Sequence, residues 1–286
     1  MGVVKKMLAL AGATALTSTA AAAADFPPPM PPQQYVQAAP VDSSGWYLRG
    51  DVGVGSQRFS SFDFTQTNIA TGGAFPASFR IDQQNIGDTA FVGFGAGFAW
   101  NSWLRVDVTG EFRASSKFKA VASYSEFCGT VRCFDIYDGS HQANVFLANA
   151  YIDLGTWWCL TPFIGGGVGF AQHNVTTVSD IGFNNGSAGF GIASTDHTAW
   201  NFAWAAHAGV AYSVTNNVKI ELAYRYLSMG NAATSEINCG GGGCNVAGGG
   251  PRAFYTLTDM TSQDIKLGVR WMLAPEPSPM PLMRRG

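Results

Sequence analysis

Residues 198–230, TAWNFAWAAHAGVAYSVTNNVKIELAYRYLSMG, decide the fold. Ahead of the break at Thr215-Asn216-Asn217, one parity holds Trp200, Phe202, Trp204, Ala206, Ala208, Val210 and Tyr212. The other holds Asn201, Ala203, Ala205, His207, Gly209 and Ala211. Beyond the break, Val218, Ile220, Leu222, Tyr224 and Tyr226 alternate with Lys219, Glu221, Ala223, Arg225 and Leu227. A period of two held over this length predicts two antiparallel strands joined by a tight turn. One face is wholly apolar with aromatics at its ends, and the other mixes charge with Gly and Ala. A water-soluble sandwich would bury the apolar face as its core. In a barrel set in lipid the faces invert, with apolar side chains outside and small or charged ones filling the interior.

The N-terminus indicates export. Lys5 and Lys6 precede an apolar run, Met7–Leu16, and the Ala20–Ala24 run offers an A-x-A cleavage site before Asp25. Residues 1–24 therefore read as a secretory signal peptide. Its removal takes two of the 17 basic side chains and leaves 15 against 19 acidic ones, which gives no support for a nucleic-acid partner. No later run of 18 apolar residues occurs, so a helical membrane span is not expected. Charged residues make up only 13% of the chain, against the usual quarter for a soluble domain, while hydrophobic ones reach 47%. With 35 glycines and 13% aromatics, the chain reads as strand-rich, apolar outside and crowded inside.

The same alternation recurs along the chain. Residues 25–44 carry Pro27, Pro28, Pro29, Pro31, Pro32 and Pro40 and form an extended periplasmic linker, mirrored by a Pro-rich tail at 274–286. Between them, 45–273 reads as the barrel. Trp46, Leu48, Gly50, Val52 and Val54 oppose Tyr47, Arg49, Asp51, Gly53 and Gly55 in the first strand. The second, Thr89–Trp100, sets Val92, Phe94 and Phe98 against a glycine row, Gly93, Gly95 and Gly97, which makes room for large side chains across a narrow barrel. The third turns at Asn101-Ser102 and sets Leu104, Val106, Val108 and Phe112 against Arg105, Asp107, Thr109, Glu111 and Arg113. The fourth covers about 141–154, with Phe146, Ala148, Ala150, Ile152 and Leu154 outward. The fifth covers 161–171, with Gly165, Gly167 and Gly169 inward. The opening hairpin supplies two more, and the last sets Ile265, Leu267, Val269, Trp271 and Leu273 against Asp264, Lys266, Gly268 and Arg270.

The expectation is thus an all-β, eight-stranded antiparallel transmembrane β-barrel. It is an up-and-down meander whose connections alternate between long loops, 58–87, 172–197 and 231–255 among them, and short turns. Long extracellular loops and short periplasmic turns are the asymmetry expected of an outer-membrane barrel. Trp157 and Trp158 at one turn suit a membrane interface. A soluble barrel would not keep its solvent face free of charge at so many positions.

Several short motifs carry a resemblance. They are Gly45-Trp46-Tyr47-Leu48-Arg49-Gly50, Asn149-Ala150-Tyr151-Ile152-Asp153-Leu154, Thr161–Gly169, Glu221-Leu222-Ala223-Tyr224-Arg225-Tyr226 and Lys266-Leu267-Gly268-Val269-Arg270-Trp271. In their order and spacing, over residues 45–273, the chain resembles the small outer-membrane β-barrel proteins of alphaproteobacteria, a porin family related to the OmpA-like transmembrane domain. The resemblance implies location in the cell outer membrane with periplasmic termini. It also implies contact with outer-membrane lipid and lipopolysaccharide, insertion by the barrel assembly machinery, and a monomer able to self-associate. The Pro-rich tail beyond Trp271 departs from the family's habit of ending near an aromatic residue.

The inward parity collects Arg49, Arg105, Arg113, Lys219, Arg225, Lys266 and Arg270 with Asp51, Asp107, Glu111, Asp153, Glu221 and Asp264. Charges held away from water must be matched and hydrogen-bonded, so the interior reads as filled by paired charges and not as an open pore. Cys128 with Cys133 and Cys239 with Cys244 share a C-x4-C spacing that suits local disulfides in an exported protein, leaving Cys159 as a buried or interface-facing free thiol. His141, His173 and His197 gather near one end of neighbouring strands, where haem or metal capture and incidental placement both explain them. His207 points inward. Gly93-x-Gly95-x-Gly97 lacks the register of a dinucleotide loop, so the chain is read as no enzyme, and no catalytic, cofactor or metal residue is assigned. The leading function is a structural surface protein of the envelope. A narrow porin-like channel and a loop-mediated receptor or adhesin are the alternatives.

Overall fold

The computed structural model describes residues 44–67, 79–125, 132–184, 187–193, 195–240 and 252–273. The expected signal peptide, the linker up to residue 43 and the tail lie outside these residues. The described residues form thirteen strands in one antiparallel sheet. They are β1 (Gly45–Arg58), β2 (Ser61–Thr67), β3 (Arg80–Ile86), β4 (Thr89–Ala99), β5 (Leu104–Arg113), β6 (Ser116–Tyr124) and β7 (Cys133–Asp153). β8 (Leu160–Asn184), β9 (Ser187–Ala193), β10 (His197–Ser213), β11 (Val218–Ala233), β12 (Ile237–Gly240) and β13 (Arg252–Met272) complete the set.

The eight-stranded meander with long loops is therefore corrected. Five strands, β2, β3, β6, β9 and β12, occupy stretches read as loops or as extensions of a neighbour. β7, β8 and β13 run for 21, 25 and 21 residues, well beyond the expected strands. The sheet does not stop at an edge in its narrow part. β1 pairs with both β4 and β13, and β13 in turn with β11. From there the pairing runs through β10, β8, β7 and β5 to β4. Beyond this part the short strands add on: β2 to β13, β3 to β6, β6 to β7, and β9 between β8 and β12.

Side-chain burial divides the sheet into two zones. In the narrow zone the outward parity is apolar and exposed, as at Phe94 (60%), Val108 (65%) and Ile265 (59%), while Arg105 and Arg113 face inward at 1%. This zone ends at Val54, Val92, Phe112, Phe146, Phe170, Trp200, Tyr224 and Ile265 on one side. It ends at Trp46, Trp100, Trp103, Trp157, Trp271 and the tight turns on the other. Past Phe146 and Phe170 the hydrophobic phase reverses. The outward positions become Asn144, Gln142, Ser140 and Asp138 on β7 and Gln172, Asn174 and Thr176 on β8. The inward ones become Val145, Ala143 and Tyr137 on β7 and Ala171, Val175 and Val178 on β8. This second zone is a folded body built like a water-soluble sheet, polar outside with an apolar core.

Irregularities in the ladders lie past the phase change, inside the second zone. β7 and β8 shift register between Asp138 and Ser140, and Thr177 has φ 52°. β11 and β13 shift around Gly230, whose φ is 75°, and Asp259 has φ 51°. Bulges of this kind bend a strand and re-aim its side chains within the second zone. Across the phase change itself the β7–β8 ladder is regular, and only the polarity of the residues switches. The tight turns are capped locally. Asn101 Oδ1 accepts the N–H groups of Trp103 and Leu104 at 3.0 and 2.8 Å, and Thr215 Oγ1 accepts those of Asn217 and Val218 at 3.2 and 3.0 Å.

Candidate interaction surface and sealed interior

In the narrow zone the strand parity drives guanidinium and carboxylate groups from facing strands into one network. Arg49 donates to Asp51 at 2.8 Å, to Asp107 at 2.7 Å and to Glu221 at 3.3 Å. Deeper in, Arg113 donates to Glu111 and Asp264, both at 2.8 Å, and Arg225 donates to the same two at 2.8 and 2.6 Å. Toward the tight turns Arg105 meets Asp153 at 3.1 Å and Arg270 meets Glu221 at 3.0 Å, with Lys266 3.7 Å from Asp51. The Arg105 guanidinium also lies over Tyr151 and Phe163, 4.0 and 4.7 Å from the ring centroids. Every expected interior charge faces inward, and all but half-buried Lys219 are buried.

Glycine supplies the space for this packing. A Cβ at Gly97 would strike the Tyr47 ring and the Val106 carbonyl oxygen, and one at Gly165 would strike the Tyr151 ring. Tyr47 in turn donates to Asp107 at 3.0 Å, and Tyr151 accepts from Arg49 at 3.2 Å. The glycine rows thus admit large side chains whose hydroxyls join the ionic network.

Above the network the second zone is closed by an apolar core. Phe62 stacks on Tyr255 at 5.0 Å, and Tyr137 lies 5.2 Å from Phe62 and 4.6 Å from Tyr255. Phe118, Leu227, Met229, Leu257 and Met260, all fully buried, pack with them. β2, which the sequence reading placed in a loop, supplies Phe62, and β6, read there as an extension of the preceding strand over 116–124, supplies Phe118. Among these rings sit Asp135 and Asp180, which accept from Tyr137 at 3.3 Å and Tyr255 at 3.1 Å. Burial pushes the Asp180 carboxyl up to about 7, and the neighbouring Asp135 charge adds to it.

The histidines divide. His141 and His173 face inward at the junction of the two zones, with Nε2 of His141 2.8 Å from Nδ1 of His173. Nε2 of His173 lies 2.8 Å from the carbonyl oxygen of Met229. That carbonyl can only accept, so His173 carries its proton on Nε2 and its Nδ1 accepts the Nε2 proton of His141. Burial, then His173 and Arg113, holds His141 down at about 3, and burial lowers His173 as well, so both rings are neutral. The pair is engaged with itself and is not an open ligand set. His197 starts β10 outside this pair, and His207 lies 3.3 Å from Asn149 Oδ1 in the interior. Among the described residues no group of three or more His, Cys, Asp or Glu side chains could hold a metal ion.

Both expected disulfides involve a residue, Cys128 or Cys244, outside the described residues. Cys133 is buried at the start of β7. Cys159 is a free thiol as expected, but it is exposed and not buried, on the turn that also exposes Trp158 at 95%.

Among the described residues, the outer wall of the second zone carries one apolar patch that departs from its polar character. Beyond the belt of Asp138, Ser140, Gln142 and Asn144, β7 exposes Phe134 (46%) and Ile136 (40%). They stand directly opposite Phe183 and Ile181 of β8, and Ile192 of β9 is exposed nearby. The sequence reading placed these β8 and β9 residues in a polar loop and so missed the patch.

An apolar band with aromatic residues toward both ends, around a charge-filled interior, is the pattern of a barrel embedded in lipid. The profile of the outer membrane protein β-barrel domain matches residues 8–271. The chain belongs to that family. It is therefore an outer-membrane protein with transmembrane β-strands and lipid around its apolar band. It is 32% identical to an uncharacterized protein of Brucella abortus (strain 2308) over 206 residues, 66% of this chain and 70% of that one. A Rickettsia bellii (strain OSU 85-389) protein designated a candidate adhesin is 28% identical over 222 residues, 77% of this chain and 88% of that one. Among solved structures, Neisserial surface protein A aligns with a TM-score of 0.40 and 16% identity, over 80% of this chain and 98% of that chain.

Proposed function

We propose that the protein is a surface receptor or adhesin of the outer membrane. In this reading the tight turns and both termini lie on the periplasmic side and the second zone stands outside the cell. The observation that carries it is the second zone itself. β7, β8 and β13 continue past the lipid band and recruit five further strands into a body with its own aromatic core. A role limited to envelope integrity needs no such body.

The channel alternative is not favoured. The lumen is filled by the ionic network, and the aromatic core is stacked above it. The candidate-adhesin designation of the Rickettsia bellii relative, which aligns over most of both chains, supports the same reading. A rigid platform also suits binding, because less conformational freedom is lost when a partner docks.

The test is to display the full chain on a non-adherent bacterium and count cells bound to cultured epithelium. Display should raise attachment severalfold. Replacing residues 59–87, the β2–β3 segment, with a short turn should remove that gain while heat-modifiable mobility reports an intact barrel. Equal attachment with and without the segment would overturn the proposal, as would stable conductance steps from the purified protein in planar bilayers.

A further inference from the structure

We infer that the outer wall of β7 and β8 above the polar belt binds a second copy of this chain, side by side in the same membrane. The inference rests on the outer-membrane placement and not on the adhesin reading.

Phe134, Ile136, Ile181 and Phe183 form two cross-strand pairs on one face, and Ile192 widens the patch. Contiguous apolar surface rimmed by polar residues marks an interaction site, whereas scattered apolar residues need no explanation. The belt keeps this patch apart from the protein's own lipid band. Ten residues separate Ile136 from Phe146, about 33 Å along the strand and roughly 25 Å in height at a barrel tilt near 40°. Acyl chains of the same bilayer do not reach that level.

The direction of the patch selects the partner. It faces sideways from the wall, parallel to the membrane plane, and not upward from the tip. A partner on another surface would meet the tip first. Copies of this chain in one membrane share orientation and height, so their patches face each other at one level without further arrangement. A two-fold axis along the membrane normal makes such a contact self-complementary and closed.

The flanks agree in charge. Lys117 on β6 pairs with Ser140, which pairs with Thr176 of β8. Asp196 just precedes His197, the partner of Val175 on the far side of β8. A basic and an acidic exposed side chain thus flank the wall at the level of the polar belt just below the patch, and the two-fold brings the lysine flank of each copy to the aspartate flank of the other. Membrane confinement already fixes orientation, so a smaller area suffices than for two proteins meeting in solution.

The experiment uses the full chain in the outer membrane of a heterologous bacterium, with a photo-crosslinking side chain in place of Phe183. Irradiation should give a product of twice the mature mass, and the same side chain in place of Gln142 in the belt should give at least about tenfold less. Ile136→Thr with Ile181→Thr keeps β-branched residues at exposed positions, so the strands should fold. It should remove the double-mass product while heat-modifiable mobility stays normal. Crosslinks only to proteins of other sequence would overturn the inference, as would no double-mass product from the folded chain. Neither result would touch the attachment assay of the preceding proposal.

Discussion

Arg225 and Asp264 are direct cross-strand partners on β11 and β13, and their side chains meet at 2.6 Å in the middle of the lumen. Asp264 is fully buried and also receives Arg113 at 2.8 Å, so one carboxylate compensates two guanidinium groups. Asp264→Asn would leave both cations short of a counter-charge away from water. Breaking a buried pair from one side costs about 3–5 kcal/mol. Thermal or urea unfolding in detergent should show a loss of that order for D264N. Asp63→Asn, at an exposed position of β2, should stay within about 0.5 kcal/mol of the parent. Unchanged unfolding of D264N would mean that the network is not what holds the wall closed.

Gly97 tests the space that glycine provides. Its substitution by Ala places a methyl group against the Tyr47 ring and the Val106 carbonyl oxygen, and the carbonyl cannot move without breaking the β4–β5 ladder. Overpacking of this kind costs about 1–3 kcal/mol. Gly50 faces outward, and a methyl group there meets nothing nearer than the Gly93 carbonyl oxygen at 4.0 Å. Gly50→Ala should therefore refold from urea into detergent with the parent yield, and Gly97→Ala with a lower one.

The contrast between these glycines also shows what the sequence made legible. From Trp46 to Val54 and from Leu104 to Arg113 the alternation is unbroken, so the lipid face and the charged face could be assigned residue by residue. At Val145-Phe146 on β7 and Phe170-Ala171 on β8, the apolar parity crosses from the outer face to the inner one. A strand that changes phase cancels its own period-two signal, and its polar outer residues then look like loop. That is why β8 was expected to stop at Ala171 although it runs to Asn184. The candidate surface was lost for the same reason, since Ile181 and Phe183 lay beyond the reversal. Among the charges, inward direction was legible but partner choice was not. Arg113 and Asp264 stand 151 positions apart, and only closure of the sheet brings them together.

The histidine pair predicts acid sensitivity in the second zone. Burial, with His173 and Arg113 adding to it, holds His141 at about 3 against an ordinary 6.5, so the unfolded chain binds the proton more readily than the folded one. The stability that the neutral ring contributes is full above about 6.5 and is lost as pH falls toward 3. The measurement uses an Asp180→Asn background, where that carboxyl no longer adds stability over the same pH range. There, hydrogen exchange of β7 and β8 amides near residues 141 and 173 should quicken between pH 6 and pH 4, after correction for the intrinsic rate. His141→Gln should flatten that dependence. An equally steep dependence in H141Q would assign the effect to other groups.

Asp180 predicts the opposite trend at higher pH. Its carboxyl is raised from 3.8 to about 7, by burial first and then by Asp135, so here the folded state holds the proton more tightly than the unfolded one. Its contribution to stability is present below about 4, declines through 7 and is gone above it. Asp180→Asn keeps the shape, offers an oxygen to the Tyr255 hydroxyl and removes the ionisation. The variant should protect the second zone better than the parent at pH 8, and the difference should shrink as pH falls to 5. Taken with His141, this places the greatest stability of that body at mildly acidic pH, between the range where the imidazoles charge and the range where the carboxyl does. Protease digestion of intact cells displaying the protein reads the body without reaching the lipid band. Cleavage that is slowest near pH 6 in the parent, with slower cleavage at pH 8 in D180N, is the expected pattern. Identical digestion of D180N and parent at pH 8 would show that Asp180 is not charged against its surroundings there.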